Sequence, residues 1–132
     1  MRITVKATNI TLNEALAVYL EQRLASVEKL LQRAEARDTR PLSGKQRETI
    51  IARVELGRTT AHHRKGKVFR AEVTLAVPGR APLRAVAHAE DLRAAIDQMR
   101  DEVRREIRRW KEKKVTRGRK GARELKRRTR TP

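Results

Sequence analysis

Apolar and polar positions alternate from the first residues of the chain. In residues 2–8, Ile3, Val5 and Ala7 share one face, the pattern of a half-buried strand. Asn9 and Ile10 turn the chain. Thr11 and Glu14 have the spacing of a capping box, in which two side chains satisfy free backbone donors at a helix start. From Leu12 to about Ala34, Leu16, Leu20, Leu24, Val27 and Leu31 recur at helical intervals, predicting one amphipathic helix of roughly six turns. Residues 35–47 are polar, hold Pro41 and Gly44, and read as a loop.

Alternation then resumes in residues 49–56 and 68–77. Ile50, Ala52, Val54 and Leu56 lie on one face of the first run; Phe69, Ala71, Val73, Leu75 and Val77 lie on one face of the second. Both read as strands. The basic segment 57–67 between them is too long for a tight hairpin. Pro78-Gly79-Arg80 is a turn, and residues 83–89 form a fourth strand. Asp91 to Lys114 is a second long helix with Leu92, Ile96, Met99, Val103, Ile107 and Trp110 on its buried stripe. The order β-α-β-β-β-α predicts an α+β fold, one four-stranded sheet with two long helices packed on one face.

Charge changes what this fold is for. Lys and Arg number 34 against 16 Asp and Glu, a formal net charge of +18, with a pI near 11.6. Such a surplus favours polyanions, above all nucleic acid, over a merely soluble role or an anionic membrane surface. Residues 115–132 contribute +7 of it with almost nothing apolar, which predicts a disordered basic arm. Residues 1–114 keep the remaining +11 and form the folded domain. Aromatic residues are limited to Tyr19, Phe69 and Trp110. Sheets that read single strands by stacking bases need more rings than this, so recognition of backbone and shape is expected. No apolar run could span a membrane, and the first residues lack a secretory core, so a cytoplasmic protein is expected.

Catalytic and metal chemistry find little support. The chain has no cysteine, hence no disulfide and no thiolate metal site. His62 and His63 are adjacent and point apart on an extended segment, while His88 lies on another strand. They read as loop imidazoles near phosphates rather than metal ligands. The glycines of RKGK and GRKG do not match a phosphate loop. Asp97, Asp101 and Glu102 each stand near helix arginines and read as members of surface ion pairs. Ser26 and Ser43 lack a nucleophile context. The expectation is a protein that is not an enzyme, with no cofactor, metal or small-molecule substrate.

On the second helix, Arg100, Arg104, Arg108 and Lys111 form one row beside the buried stripe, led by Arg93 and interrupted by Asp97. Arg105, Arg109 and Lys113 run along the other flank beside Glu102 and Glu106. On an ordinary protein both flanks would be solvated faces. Here the net charge, the loop cations Arg64, Lys65 and Lys67, and the basic tail together suggest many phosphate contacts, which set affinity and position without reading sequence.

Four stretches resemble the short ribosome hibernation promoting factors and ribosome-associated inhibitors. They are ITVKATNITLNEAL at the start, Arg23 to Lys29 (RLASVEK), HHRKGKVFRAEV, and Glu90 to Asp97 (EDLRAAID) with the helix ending RREIRRWKEKK. The resemblance covers residues 1–114. It implies binding to ribosomal RNA in the decoding channel of the small subunit, competition with messenger and transfer RNA, and inhibition of translation under stress or in stationary phase. It also implies RNA-binding roles for Arg23, Lys29, Arg105, Arg109 and Lys113. Arg64, Lys65 and Lys67 join them from the loop, with Arg93, Arg100, Arg104, Arg108, Lys111, His62 and His63 as a second set. Arg93 stands where the family usually has tyrosine, Glu102 where it usually has lysine, and the 35–47 loop is longer than in common short members. From the residues alone, a ribosome assembly factor, a duplex-RNA binder and a protein-interaction module tethered by its tail remain open.

Overall fold

The sheet takes its order directly from the strand sequence. The computed structural model describes residues 1–36, 42–48, 50–59 and 66–130, with backbone course alone at 36, 47–48 and 113–130. The elements are β1 (Arg2–Thr8), α1 (Glu14–Ala36), α2 (Gly44–Glu48), β2 (Ile51–Arg58), β3 (Phe69–Ala76), β4 (Leu83–Ala89) and α3 (Leu92–Arg130). The four strands lie in the order β1-β2-β3-β4. β1 pairs parallel with β2, and the remaining neighbours are antiparallel. A parallel pair needs a long crossover, which is what α1 supplies.

The register lines up Val5, Val54, Val73 and Ala85 across the sheet, with Ile3, Ala52, Leu75 and Leu83 in the next row of that face. Leu16, Leu20, Leu24, Val27 and Leu31 of α1 and Ala95, Ile96, Met99, Val103 and Ile107 of α3 complete one core with these rows. The predicted α+β architecture and the stripes of both long helices are therefore observed. Ala95 joins the stripe beyond the residues singled out by periodicity. Full burial of a leucine-sized side chain stabilises by roughly 1.5–3 kcal/mol, against about 0–1 kcal/mol for an exposed ion pair. The stripe, not the surface charge, holds the helices down.

Local chemistry fixes the helix ends, in places differently from the sequence reading. Asn13, not Thr11, caps α1: its Oδ1 accepts the Leu16 amide at 2.8 Å, so the helix begins at Glu14. The short amide side chain reaches the third helical N–H without help from the residues before it. Asp91 does the same for α3, accepting the Ala94 amide at 2.8 Å. Inside the segment read as a loop, Ser43 and Gln46 form a reciprocal capping box that starts α2. The Ser43 amide donates to Gln46 Oε1 at 2.9 Å, and the Gln46 amide donates to Ser43 Oγ at 3.2 Å. Residues 37–41 of that loop lie outside the described residues.

α3 runs on to Arg130, through the segment expected to be a disordered arm. Residues 115–130 are rich in helix-forming Arg, Lys, Ala, Glu and Leu and contain no proline. Gly118 and Gly121 each weaken a helix by about 1 kcal/mol, but extending an existing helix requires no new nucleus.

A clamp joins the end of α1 to the middle of α3. Gly79 has φ 73°, and the Arg80 amide donates to Val77 carbonyl oxygen at 3.2 Å. With Pro78 ahead of the glycine, this is a type II turn. The turn delivers Arg80 to Glu35 near the end of α1, with Nε 3.0 Å from Oε1 and an Nη2 hydrogen bond to Oε2 at 3.1 Å. The same guanidinium lies 4.2 Å from the ring centroid of Trp110 on α3. Glu35 is 1 % exposed. Arg80→Ala leaves this carboxylate buried without its cation, and breaking such a pair costs about 3–5 kcal/mol. Urea unfolding followed by Trp110 fluorescence should show that loss; an unchanged midpoint would mean that the clamp contributes nothing.

Candidate nucleic-acid interface

At 100° per residue, Arg93, Asp97, Arg100, Arg104, Arg108 and Lys111 share one side of α3. Contacts show that the start of this row, at Arg93 and Asp97, meets α1. The Tyr19 hydroxyl donates to both carboxylate oxygens of Asp97 at 2.8 Å, and Arg23 Nε donates to Oδ1 at 2.9 Å. Arg23 and Arg93 lie over the Tyr19 ring, 4.3 and 4.9 Å from its centroid. With Glu35 near the end of α1 and Trp110 midway along α3 meeting through Arg80, the two helices run parallel, joined at two levels.

The charges of this cluster stabilise one another. Burial pushes the Asp97 carboxyl upward, but hydrogen bonds from Tyr19 and Arg23 outweigh it and hold the group below the usual carboxylate range. Hydrogen bonding to Tyr19, then to Asp97, raises Arg23 above its ordinary value. Arg23 is thus an anchor between helices as well as a surface cation. Asp97 pairs across the seam with Arg23, rather than along its own helix as the sequence suggested.

Exposure sorts the other candidates more sharply than the two rows do. Lys29, Lys67, Arg93 and Arg108 are exposed. The side chains of Arg105 and Arg109 are 61 % and 65 % exposed, each beside a carboxylate one turn earlier, Glu102 and Glu106. Such surface pairs are worth at most about 1 kcal/mol, so a phosphate can displace the carboxylate. Arg100 is only 23 % exposed and bridges to Asp101 at 3.1 Å. Arg104 is half-buried, with an Nε that bonds to no described group, and Lys111 is half-buried. Arg108 and Arg109, assigned to opposite flanks by periodicity, both reach the outer surface of the helix pair. The Lys113 side chain and residues His62, His63, Arg64 and Lys65 lie outside the described residues.

The sequence reading missed Tyr19 and the clamp of Glu35, Arg80 and Trp110. No periodic signal marks them, because each joins elements far apart in the chain. It also missed a charge ladder on the uncovered face of the sheet. There Arg70 sits 3.9 Å from Glu55 and bonds Glu72, which Arg84 bonds in turn. Chiefly through Arg84, and against the effect of burial, the Glu72 carboxyl is held below its ordinary range. Among the described residues, no group of three or more His, Cys, Asp or Glu could hold a metal ion, and no helix is long and apolar enough to cross a membrane.

Residues 3–115 match the family model described as sigma 54 modulation protein / S30EA ribosomal protein. Among solved structures, the chain is similar to the N-terminal domain of Protein Y from Thermus thermophilus. The two are 25% identical with a TM-score of 0.57, over 83% of this chain and 99% of that one. It also shares the fold of a ribosomal subunit interface protein from Coxiella burnetii. That likeness has 13% identity and a TM-score of 0.57, over 84% of this chain and 98% of that one. No curated protein matches the chain.

The seam carries its own acid sensitivity. A carboxylate with a depressed folded-state pKa stabilises fully above its unfolded pKa, and that contribution is lost as pH falls through the folded value. Asp97→Asn removes its share of this loss. Thermal unfolding between neutral and strongly acid pH should therefore fall less steeply in the variant, with Glu72 among the groups that still respond. Parallel curves for the two proteins would show that Asp97 adds no pH-dependent stability.

Proposed function

Because the chain belongs to the sigma 54 modulation protein / S30EA ribosomal protein family, we propose that it is a ribosome hibernation factor of the cytoplasm. In this reading it binds the small subunit at the decoding channel through ribosomal RNA. It excludes messenger and transfer RNA and so inhibits translation under stress or in stationary phase. The reading is supported above all by the outer surface of the parallel helix pair, where Lys29, Arg105, Arg108 and Arg109 are exposed on a rigid frame. Inhibition then follows from occupancy alone, without a catalytic step. A folded, strongly cationic body fills space that RNA strands would occupy, and its arginines hold the channel's phosphates.

The residues divide their tasks by exposure. Arg105 and Arg109, with Lys29 across the helix pair, make first contact with phosphate, and Arg108 extends that surface. Arg23, fastened to Asp97 and Tyr19, contacts RNA from a fixed position and loses little conformational freedom on binding. Arg100 and Arg104 are half-buried. Arg64, Lys65, Lys67 and Lys113 are proposed to add further phosphate contacts. The basic segment from 115 onward adds long-range attraction while the body sets the site.

Two measurements test the reading. Arg105→Glu with Arg109→Glu should weaken binding to vacant small subunits by roughly tenfold or more, since several phosphate contacts are lost or reversed. Arg2→Glu with Arg53→Glu makes the same charge change at exposed strand positions. It should have far less effect, and equal losses would reduce the protein to a nonspecific polycation. Circular dichroism must show both variants folded.

Competition is the sharper test. Loading mature ribosomes with messenger and transfer RNA should slow or prevent binding, and a reconstituted translation reaction should be inhibited. Equal affinity for vacant and loaded subunits would exclude the decoding channel and favour an assembly factor or duplex-RNA binder using the same helices. Binding should also fall steeply with added salt as counterions compete for the phosphates.

A further inference from the structure

We propose that the groove between the first turns of α1 and the start of α3 receives one unpaired guanine base of a bound RNA strand. The proposal rests on the reading that RNA is the partner, but not on the decoding channel. Glu14, Ala15, Val18, Tyr19 and Gln22 line the groove from α1, and Arg93 borders it from α3. Its volume is about 530 Å³, within the roughly 300–1,000 Å³ of small-ligand sites. Ala15, Val18, Tyr19 and Gln22 recur at helical spacing, so they share one side of α1. The groove shares no residue with the outer surface of Lys29, Arg105, Arg108 and Arg109.

Arg93 supplies a free planar cation. It is exposed, lies 4.9 Å from the centroid of the Tyr19 ring, and forms no ion pair with a described carboxylate. The neighbouring Asp97 is taken by Tyr19 and Arg23 instead. That hydrogen bond also fixes Tyr19, so the guanidinium rests on a held ring before any ligand arrives. Splayed-out RNA bases stack on guanidinium planes as they do on aromatic rings. Val18 offers the apolar wall. It is 45% exposed, the most exposed large apolar side chain among the described residues, and the flat face of a base would remove it from water.

Glu14 and Gln22 narrow the ligand to one base. They stand about 12 Å apart along the helix axis, and among the described residues neither side chain is hydrogen-bonded. The Glu14 carboxylate would repel a phosphate, so the groove takes a base while backbone phosphates stay with the outer arginines. An ionised carboxylate only accepts hydrogen bonds and needs an edge of donors. Guanine presents N1–H and the N2 amino group side by side, a match for two carboxylate oxygens. Adenine, cytosine and uracil set an acceptor beside each donor on that edge, which the carboxylate would oppose. The Gln22 amide both donates and accepts, and its amino group suits the O6 acceptor of the same base.

The test titrates the full chain, labelled with ¹⁵N, with a short oligouridylate and with the same strand carrying one guanosine, adenosine or cytidine. The guanosine strand should bind roughly tenfold more tightly than the all-uridine strand, the scale of one stacked base. It should also shift the amides of Ala15, Val18, Gln22 and Arg93. Arg93→Gln should remove most of that advantage. Arg53→Gln makes the same charge change at an exposed strand position and should leave the advantage intact. Glu14→Gln is the sharpest arm. If charge alone operates, removing a carboxylate should tighten binding of every strand and leave their ranking unchanged. The proposal instead requires the guanosine preference to fall below about twofold, because the edge contact is lost. A preference unchanged in Glu14→Gln, or lost equally in Arg93→Gln and Arg53→Gln, would overturn it. Equal binding of all four strands, with shifts confined to the outer helix surface, would overturn the base site and keep the RNA reading. Failure to bind any strand would overturn both. An intact amide spectrum certifies that each variant is folded.

Discussion

A four-stranded sheet with one apolar face must have that face covered, and in this chain two helices cover it. The apolar rows of all four strands point to the same side, and the leucine stripe of α1 and the Ile96–Met99–Val103–Ile107 stripe of α3 close over them. Since β1, β2 and β4 run the same way, the helices that follow β1 and β4 return side by side and parallel. The seam between them is polar and is closed at two levels, by Tyr19, Arg23 and Asp97 at one and by Glu35, Arg80 and Trp110 at the other. Rigid helices with fixed spacing follow from that arrangement, and so does an outer surface free to carry charge.

A formal charge of +18 works against compactness, because like charges brought together by folding repel one another. The structure meets this by placing a few carboxylates where they act on several cations. Asp97 serves Arg23, Glu35 serves Arg80, and Glu72 serves both Arg70 and Arg84. Each of these acids joins residues from different elements, so neutralisation and tertiary linkage are the same contact. The acids on the outer flank of α3 behave differently. Glu102 and Glu106 pair within one turn of their own helix, ties weak enough for a polyanion to replace.

That difference separates structural cations from available ones, and with it the two faces of a binding protein. Arg80 and Arg104 sit within the fold, whereas Lys29, Arg105, Arg108 and Arg109 stand in solvent. The proposed RNA-binding surface, built on helices whose opposite sides form the core, would gain precision from the same packing that stabilises the domain. In that reading, recognition would rest on spacing and charge rather than on stacking rings. Tyr19 and Trp110 are both half-buried and engaged with arginines of the protein itself.

Period-two and helical spacing were enough to determine the strands, the two long helices, their buried stripes and the α+β class. Those patterns reflect burial of side chains near in sequence, and the net charge required no structure at all. The family relation was also legible, in contiguous runs such as Glu90 to Asp97. Helix starts were less so, because Asn13 and Thr11 are both competent caps and geometry selected Asn13. The Ser43–Gln46 box was present in the sequence, hidden in a segment whose proline and glycine suggested a loop. Only tertiary structure decided which arginines serve the fold and which face solvent. Arg100 and Arg108 have the same charge and stand in one row of α3, yet the first is mostly covered and the second stands in solvent. The link from Arg80 to Glu35 spans 45 positions, and no local pattern records a contact made by folding two such distant segments together.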